Sequence, residues 1–222
     1  MTAIICSARR AVFKPMRFQH RSLTTLQGNS HIFVFPSPQA PNSYILTLLP
    51  TTPPKPELAI GVTSTLPPTT DSFKENPAFL KTLQSVISEH AREDPDVVSQ
   101  AQVMAFTTGA NIASGGAFSS PQRKQRRGHG AASLNEGSKG GADSTGRGGW
   151  IHVSDTRNPP EFARIAWPED IFGSLEVDGN GNIEGNYQPS GTYRIITRNG
   201  ILGLSPFLRE KLIQRLRSEE NN

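Results

Sequence analysis

Asn76-Pro77-Ala78-Phe79-Leu80-Lys81-Thr82-Leu83-Gln84-Ser85-Val86-Ile87-Ser88-Glu89-His90-Ala91 is where the chain changes its period. Phe79, Leu80, Leu83, Val86, Ile87 and Ala91 recur at helical spacing, which gives the segment one apolar face. Asn76 supplies a side-chain acceptor at the N-cap, and Pro77 takes the first helical position, where its missing N–H costs nothing. Asp94-Pro95 repeats the start signal, and Val97, Val98, Ala101, Met104 and Ala105 repeat the spacing. Upstream the pattern is that of strands. Residues 31–35, 44–49 and 58–63 are short apolar, partly β-branched runs separated by proline clusters at 36–41, 50–56 and 67–68. Three strands followed by two helices make an α+β module over residues 28–106, one helix face covering the sheet.

A second module spans residues 150–222. Trp150-Ile151-His152-Val153 alternates like a strand, and Asn158-Pro159-Pro160 breaks it. Residues 171–177 read as another strand, ended by the turn Asp178-Gly179-Asn180-Gly181. Residues 193–197 and 201–204 flank Asn199-Gly200, a dipeptide suited to a type I′ hairpin turn. Ser205-Pro206 opens a last helix whose apolar face is Phe207, Leu208, Leu212, Ile213 and Leu216. The expectation is an antiparallel sheet or partly open barrel with one C-terminal helix.

Between the modules, residues 107–149 are rich in Gly, Ser, Ala and Arg and poor in large apolar residues. Such a stretch cannot bury enough surface to offset the entropy of ordering, so it reads as a disordered linker. It carries the dense basic cluster Arg123-Lys124-Gln125-Arg126-Arg127. Arg123, Lys124, Arg126 and Arg127 are candidate phosphate contacts, toward RNA or anionic lipid headgroups. The cluster has no aromatic to stack on bases, and a solvated charged loop explains it more simply.

The N-terminal residues state an address. Arg9, Arg10, Lys14, Arg17 and Arg21 are the charged residues of the first thirty positions, and the first carboxylate is Glu57. Arg10, Lys14, Arg17 and Arg21 form one helical stripe roughly opposite Ile5, Ala8, Val12, Met16 and Leu23. A basic stripe facing an apolar one, with Ser and Thr but no acid, describes a mitochondrial transit peptide over residues 1–27. Pro15 speaks against a permanent helix, and Arg21-Ser22-Leu23-Thr24 offers a processing point. The implied location is the mitochondrion, in the matrix, since no apolar run approaches membrane-spanning length.

Cleavage changes the charge argument. The whole chain has 23 Lys and Arg against 19 Asp and Glu, and removing five N-terminal bases leaves 18 against 19. The mature body is therefore close to neutral, and global charge gives nucleic-acid binding no support. The one cysteine, Cys6, lies in the leader, so disulfides, thiolate catalysis and cysteine-built zinc sites are not expected.

Familiar motifs fail on inspection. Residues 141–148 have phosphate-loop spacing, but Arg147 and Gly148 stand where lysine and a hydroxyl belong. Asp178-Gly179-Asn180-Gly181-Asn182 begins like a calcium loop but has Ile183 at the sharp turn and Pro189 at the bidentate position. No metal and no cofactor are expected. What survives is a concentration of functional side chains, His152, Asp155, Arg157, Glu161, Trp167 and Asp170, around two proline-bearing loops. Tryptophan and arginine are favoured at interface hot spots, which makes these six residues candidates for partner binding. Acid–base catalysis by His152 with Asp155 or Glu161 is the alternative; turn chemistry and local ion pairing is the plain one.

Residues 148–160, 167–174 and 203–212 are similar to stretches of uncharacterised mitochondrial proteins of filamentous fungi. The resemblance implies a mitochondrial setting and carries no functional residue across. Together these readings describe a soluble matrix accessory protein that binds a protein or ribonucleoprotein complex, such as the mitochondrial ribosome or an inner-membrane complex. RNA binding through the linker and a small His152 enzyme are the alternatives.

Overall fold

The structure is a computed structural model that describes residues 24–38, 40, 42–114, 149–161 and 164–221. The basic stripe of the leader and the Arg123, Lys124, Arg126, Arg127 cluster lie outside the described residues. The architecture is α+β, two units on either side of residues 115–148.

The first unit is an antiparallel meander in the order β1 (Thr24–Leu26), β2 (Asn29–Pro36), β3 (Tyr44–Thr47), β4 (Gly61–Thr63) and β5 (Phe73–Glu75). That is two strands more than the three runs expected. β1 lies within the range read as transit peptide, yet Leu26 is buried and Thr24 pairs with Val34. The run expected as a strand over 58–63 is shorter, because Pro56–Leu58 form a 3-10 turn. Asn76 holds that turn: its Nδ2 donates to the carbonyls of Pro56, Glu57 and Ala59 at 3.1, 2.8 and 2.8 Å. The same side chain caps α1 (Pro77–His90), its Oδ1 accepting from Ala78 N–H at 3.0 Å. α2 (Pro95–Ser114) starts at Asp94 as expected but runs past residue 106 to Ser114, further than the change in composition suggested.

In the second unit β6 (Gly149–Ser154), β7 (Ile171–Val177) and β8 (Ile183–Pro189) form a three-stranded antiparallel sheet. The turn between β7 and β8 is built by Asp178, whose Oδ1 accepts from the N–H groups of Asn180 and Asn182 at 2.9 and 2.7 Å. β9 (Ile196–Thr197) and β10 (Gly200–Ile201) are a separate short ribbon. Its turn is not type I′. Thr197 pairs with Gly200, which leaves Arg198 and Asn199 as the loop, and in this turn Gly200 alone takes a positive φ, +125°. A type I′ turn needs positive φ at both central residues, which the Cβ of Arg198 disfavours.

α3 (Pro206–Asn221) closes the chain. Its buried face, Leu208, Leu212 and Leu216, packs against α1, whose Phe79, Leu83, Val86 and Ile87 are also buried. These residues join Ile32, Val34 and Leu46 of the first sheet and Phe172, Leu175 and Val177 of β7 in one hydrophobic core. The two units thus share their interior. Polar bridges reinforce the junction. Tyr187 O–H donates to Gln84 Oε1 at 2.8 Å, Ile195 N–H to Glu75 Oε1 at 3.0 Å, and Arg215 Nη2 to Glu89 at 2.7 and 3.0 Å. No helix among the described residues is long and apolar enough to cross a membrane.

Candidate functional site

β6 ends at Ser154, and the chain then dives inward. Asp155 is 1% exposed and Asp170 0% exposed, and the Arg157 side chain between them is 3% exposed. Arg157 uses all of its donors within the protein. Nε–H donates to Asp170 Oδ1 at 2.7 Å, Nη1 to the carbonyls of Ile195 (2.8 Å) and Gly200 (3.4 Å), and Nη2 to those of Arg194 (2.7 Å) and Glu169 (3.0 Å). A planar fork with five donors suits this task, which a point-charge ammonium could not perform. The guanidinium also lies 5.5 Å from the centroid of the Tyr193 ring.

Asp155 completes the clasp. Its Oδ1 accepts from the N–H groups of Arg157 and Gly203, both at 2.9 Å, and its Oδ2 accepts from Tyr193 O–H at 3.0 Å. Its own N–H donates to Asp170 O at 2.7 Å. Burial pushes the Asp155 carboxyl above its ordinary 3.8, against the opposing pull of the Arg157 charge, the two backbone N–H groups and the tyrosine. Burial first, and then the neighbouring Asp155 charge, raise Tyr193 well above 10, so its hydroxyl keeps the proton it donates. Asp170 Oδ2 is buried and has no hydrogen-bond partner among the described residues. Two carboxylates and one guanidinium therefore tie four segments together, around residues 155–157, 169–170, 193–195 and 200–203.

The six residues singled out in the sequence divide accordingly. Asp155, Arg157 and Asp170 come together, but as an internal clasp whose hydrogen bonds are made within the chain. They offer a partner no surface, because a buried ion pair with its donors engaged has nothing left to present. His152 lies on the opposite face of β6 from the buried Ile151 and Val153, its Nδ1 2.8 Å from Ser174 Oγ on β7. The contact is with this serine rather than with Asp155 or Glu161. Glu161 is exposed and pairs with Arg164 at 3.3 Å, both side chains about three-quarters in solvent (77% and 74%), a geometry of little energetic weight. Trp167 is 66% exposed and, nearby, Ile165 is 71% exposed.

Sequence reasoning missed Tyr193 and the carbonyls of Arg194 and Ile195, because nothing local connects position 157 to a run nearly forty residues on. It also missed the cations beside Trp167. A groove of about 990 Å³ runs between β5, the Trp167–Glu169 turn and residues 192–198, and Lys74, Arg194 and Arg198 line it. The clasp aims one of these. Arg194 N–H donates to Glu169 O at 3.1 Å and Arg194 O accepts from Arg157, so its backbone is fixed on both sides while the side chain stands exposed.

The class defined by fold and site is an α+β protein with a buried Asp–Arg–Asp–Tyr clasp beneath an exposed aromatic groove. No protein-family model matches the chain, and neither a curated protein nor a solved structure is significantly similar to it.

Proposed function

We propose that this protein is a non-catalytic accessory factor of the mitochondrial matrix that docks a macromolecular partner on the face bearing Ile165 and Trp167. The observation that carries this reading is the division of labour at the clasp. Asp155, Arg157 and Asp170 are turned inward, and they hold in place a segment whose large apolar side chains face solvent. Large exposed aromatics on a rigid support are the usual anchors of protein interfaces. The mitochondrial setting rests on the basic, acid-free leader. Thr24–Leu26 belong to the first sheet, so a cut near Arg21–Leu23 would fall ahead of its first strand.

The test is chemical crosslinking in isolated mitochondria with tagged full-length chain, comparing wild type with Ile165→Ser/Trp167→Ser, with and without nuclease. Crosslinked species lost in the double variant and indifferent to nuclease support docking on this face. Crosslinks unchanged in the variant, or a tagged chain found outside mitochondria, would overturn the reading. Loss of the partner on nuclease treatment would favour RNA contact through Arg123, Lys124, Arg126 and Arg127 instead.

A further inference from the structure

We infer that the groove beside Trp167 accepts an acidic, partly apolar segment of a partner protein; the inference deepens the docking reading above and rests on it. Lys74, Arg194 and Arg198 are all exposed, and none forms an ion pair among the described residues. Each is held outward by its own backbone. Lys74 is flanked on β5 by Phe73, which is buried, and alternation sends the lysine to the other face. Arg194 is pinned through its own N–H and carbonyl, and Arg198 occupies the loop of the β9–β10 ribbon. Glu75 lines the same groove, but its Oε1 already accepts from Ile195 N–H at 3.0 Å, so that oxygen is committed within the fold.

The indole of Trp167 supplies an apolar platform beside these cations. A ligand with carboxylates for the arginines and an aliphatic side chain for the indole matches both features. The lining argues against a nucleic acid. Glu75 and Glu169 would stand against a continuous phosphate backbone, and the second aromatic, Phe73, is buried and gives bases nothing to stack on. A peptide, whose charges are spaced and interrupted, can place acids at the arginines and avoid the glutamates.

The chain has two tryptophans, so Trp150→Phe leaves Trp167 as the sole indole reporter in the full-length protein. The probes are a short peptide of alternating glutamate and leucine, its glutamine-for-glutamate counterpart, and a short oligouridylate, each titrated at moderate salt. The expected result is a blue shift of Trp167 emission with the acidic peptide. Binding should be at least about tenfold weaker for the glutamine peptide, and again for acidic peptide on Arg194→Gln/Arg198→Gln. Lys74→Gln, which leaves the 193–198 stretch untouched, should weaken binding in the same direction and serves if the double variant does not fold. Equal binding of both peptides, tighter binding of oligouridylate, no spectral response, or unaltered affinity in the charge variants would each overturn the proposal. A partner captured through Ile165 and Trp167 with no acidic-peptide binding overturns the acidic class alone; loss of both overturns the docking reading as well.

Discussion

Arg157 touches more of the protein than any contact pattern around its own position suggests. Its fork reaches four carbonyls and one carboxylate drawn from three distant stretches, with the guanidinium itself 3% exposed. Replacing it with methionine leaves Asp155 and Asp170 buried without a counter-charge, and breaking a buried pair from one side costs about 3–5 kcal/mol. Arg157→Met should therefore lower the urea midpoint sharply with little change in slope, and Arg157→Lys should recover only part of the loss because the fork is gone. Asp155 contributes a pH dependence of its own. Its folded-state carboxyl lies above the ordinary 3.8, so the native protein holds this proton more tightly than the unfolded chain does. That contribution is fully present below 3.8 and is lost as pH rises through the folded value. Comparing denaturation midpoints of wild type and Asp155→Asn across a pH series should show the difference, wild type minus variant, falling as pH climbs above 3.8 and then levelling. A difference that grows with pH would mean that attraction to Arg157 outweighs the cost of burial.

At the level of elements, two helix starts are fastened to each other. Ser205 Oγ accepts from Leu208 N–H at 3.1 Å, which caps α3, and its hydroxyl donates to Asp94 Oδ2 at 2.6 Å. Asp94 Oδ1 meanwhile accepts from Asp96 N–H at 3.0 Å, which caps α2. Ser205→Ala removes a cap and leaves Asp94, 2% exposed, short of a donor, so a loss of about 2–4 kcal/mol is expected. A double-mutant cycle with Asp94→Ala in thermal or urea unfolding should return a coupling of about 1 kcal/mol or more; additivity would show the two caps to be independent. These starts were readable in advance, because Asn76-Pro77, Asp94-Pro95 and Ser205-Pro206 each combine a side-chain acceptor with a proline that needs no N–H partner. β7 was equally plain from its apolar run. β8 was not: within Ile183–Pro189 only Ile183 and Tyr187 are large apolar residues, Gly185 takes φ +67°, and the strand exists through pairing with β7. β1 and β5 are three residues each, too short for any period to show. The clasp was half legible. Asp155, Arg157 and Asp170 drew notice for their chemistry, but their inward direction depends on the 193–203 stretch, which the local pattern does not place.

The whole molecule poses a different question, because its two units are separated in sequence by residues 115–148 yet share one interior. The leucine stripe of α3, at 208, 212 and 216, repeats every fourth position and is 0–2% exposed. α1 packs on that stripe, and it also packs against β8 and the Pro56–Leu58 turn, while its buried residues share one cluster with those of the first sheet. A unit deprived of the other would expose this seam, at a cost of roughly 25 cal/mol for each Å² of apolar surface returned to water. Gln84, Glu75 and Asp94 would lose Tyr187, Ile195 and Ser205 at the same time. Covalent continuity between the units should therefore matter less than their packing. Residues 24–114 and 149–221, coexpressed as separate chains, should copurify in equal amounts and unfold in one cooperative transition whose midpoint rises with protein concentration. Each fragment alone should bind a hydrophobic dye and lack a sharp transition. Leu212→Ala in the shorter fragment should weaken the complementation, since a buried leucine truncated at a helix–helix seam costs about 2–5 kcal/mol. If instead either fragment melts cooperatively by itself with unchanged sharpness, the units are independently stable and the core they share is a contact between finished domains, and in that event the α1–α3 seam should part at lower denaturant than either half unfolds.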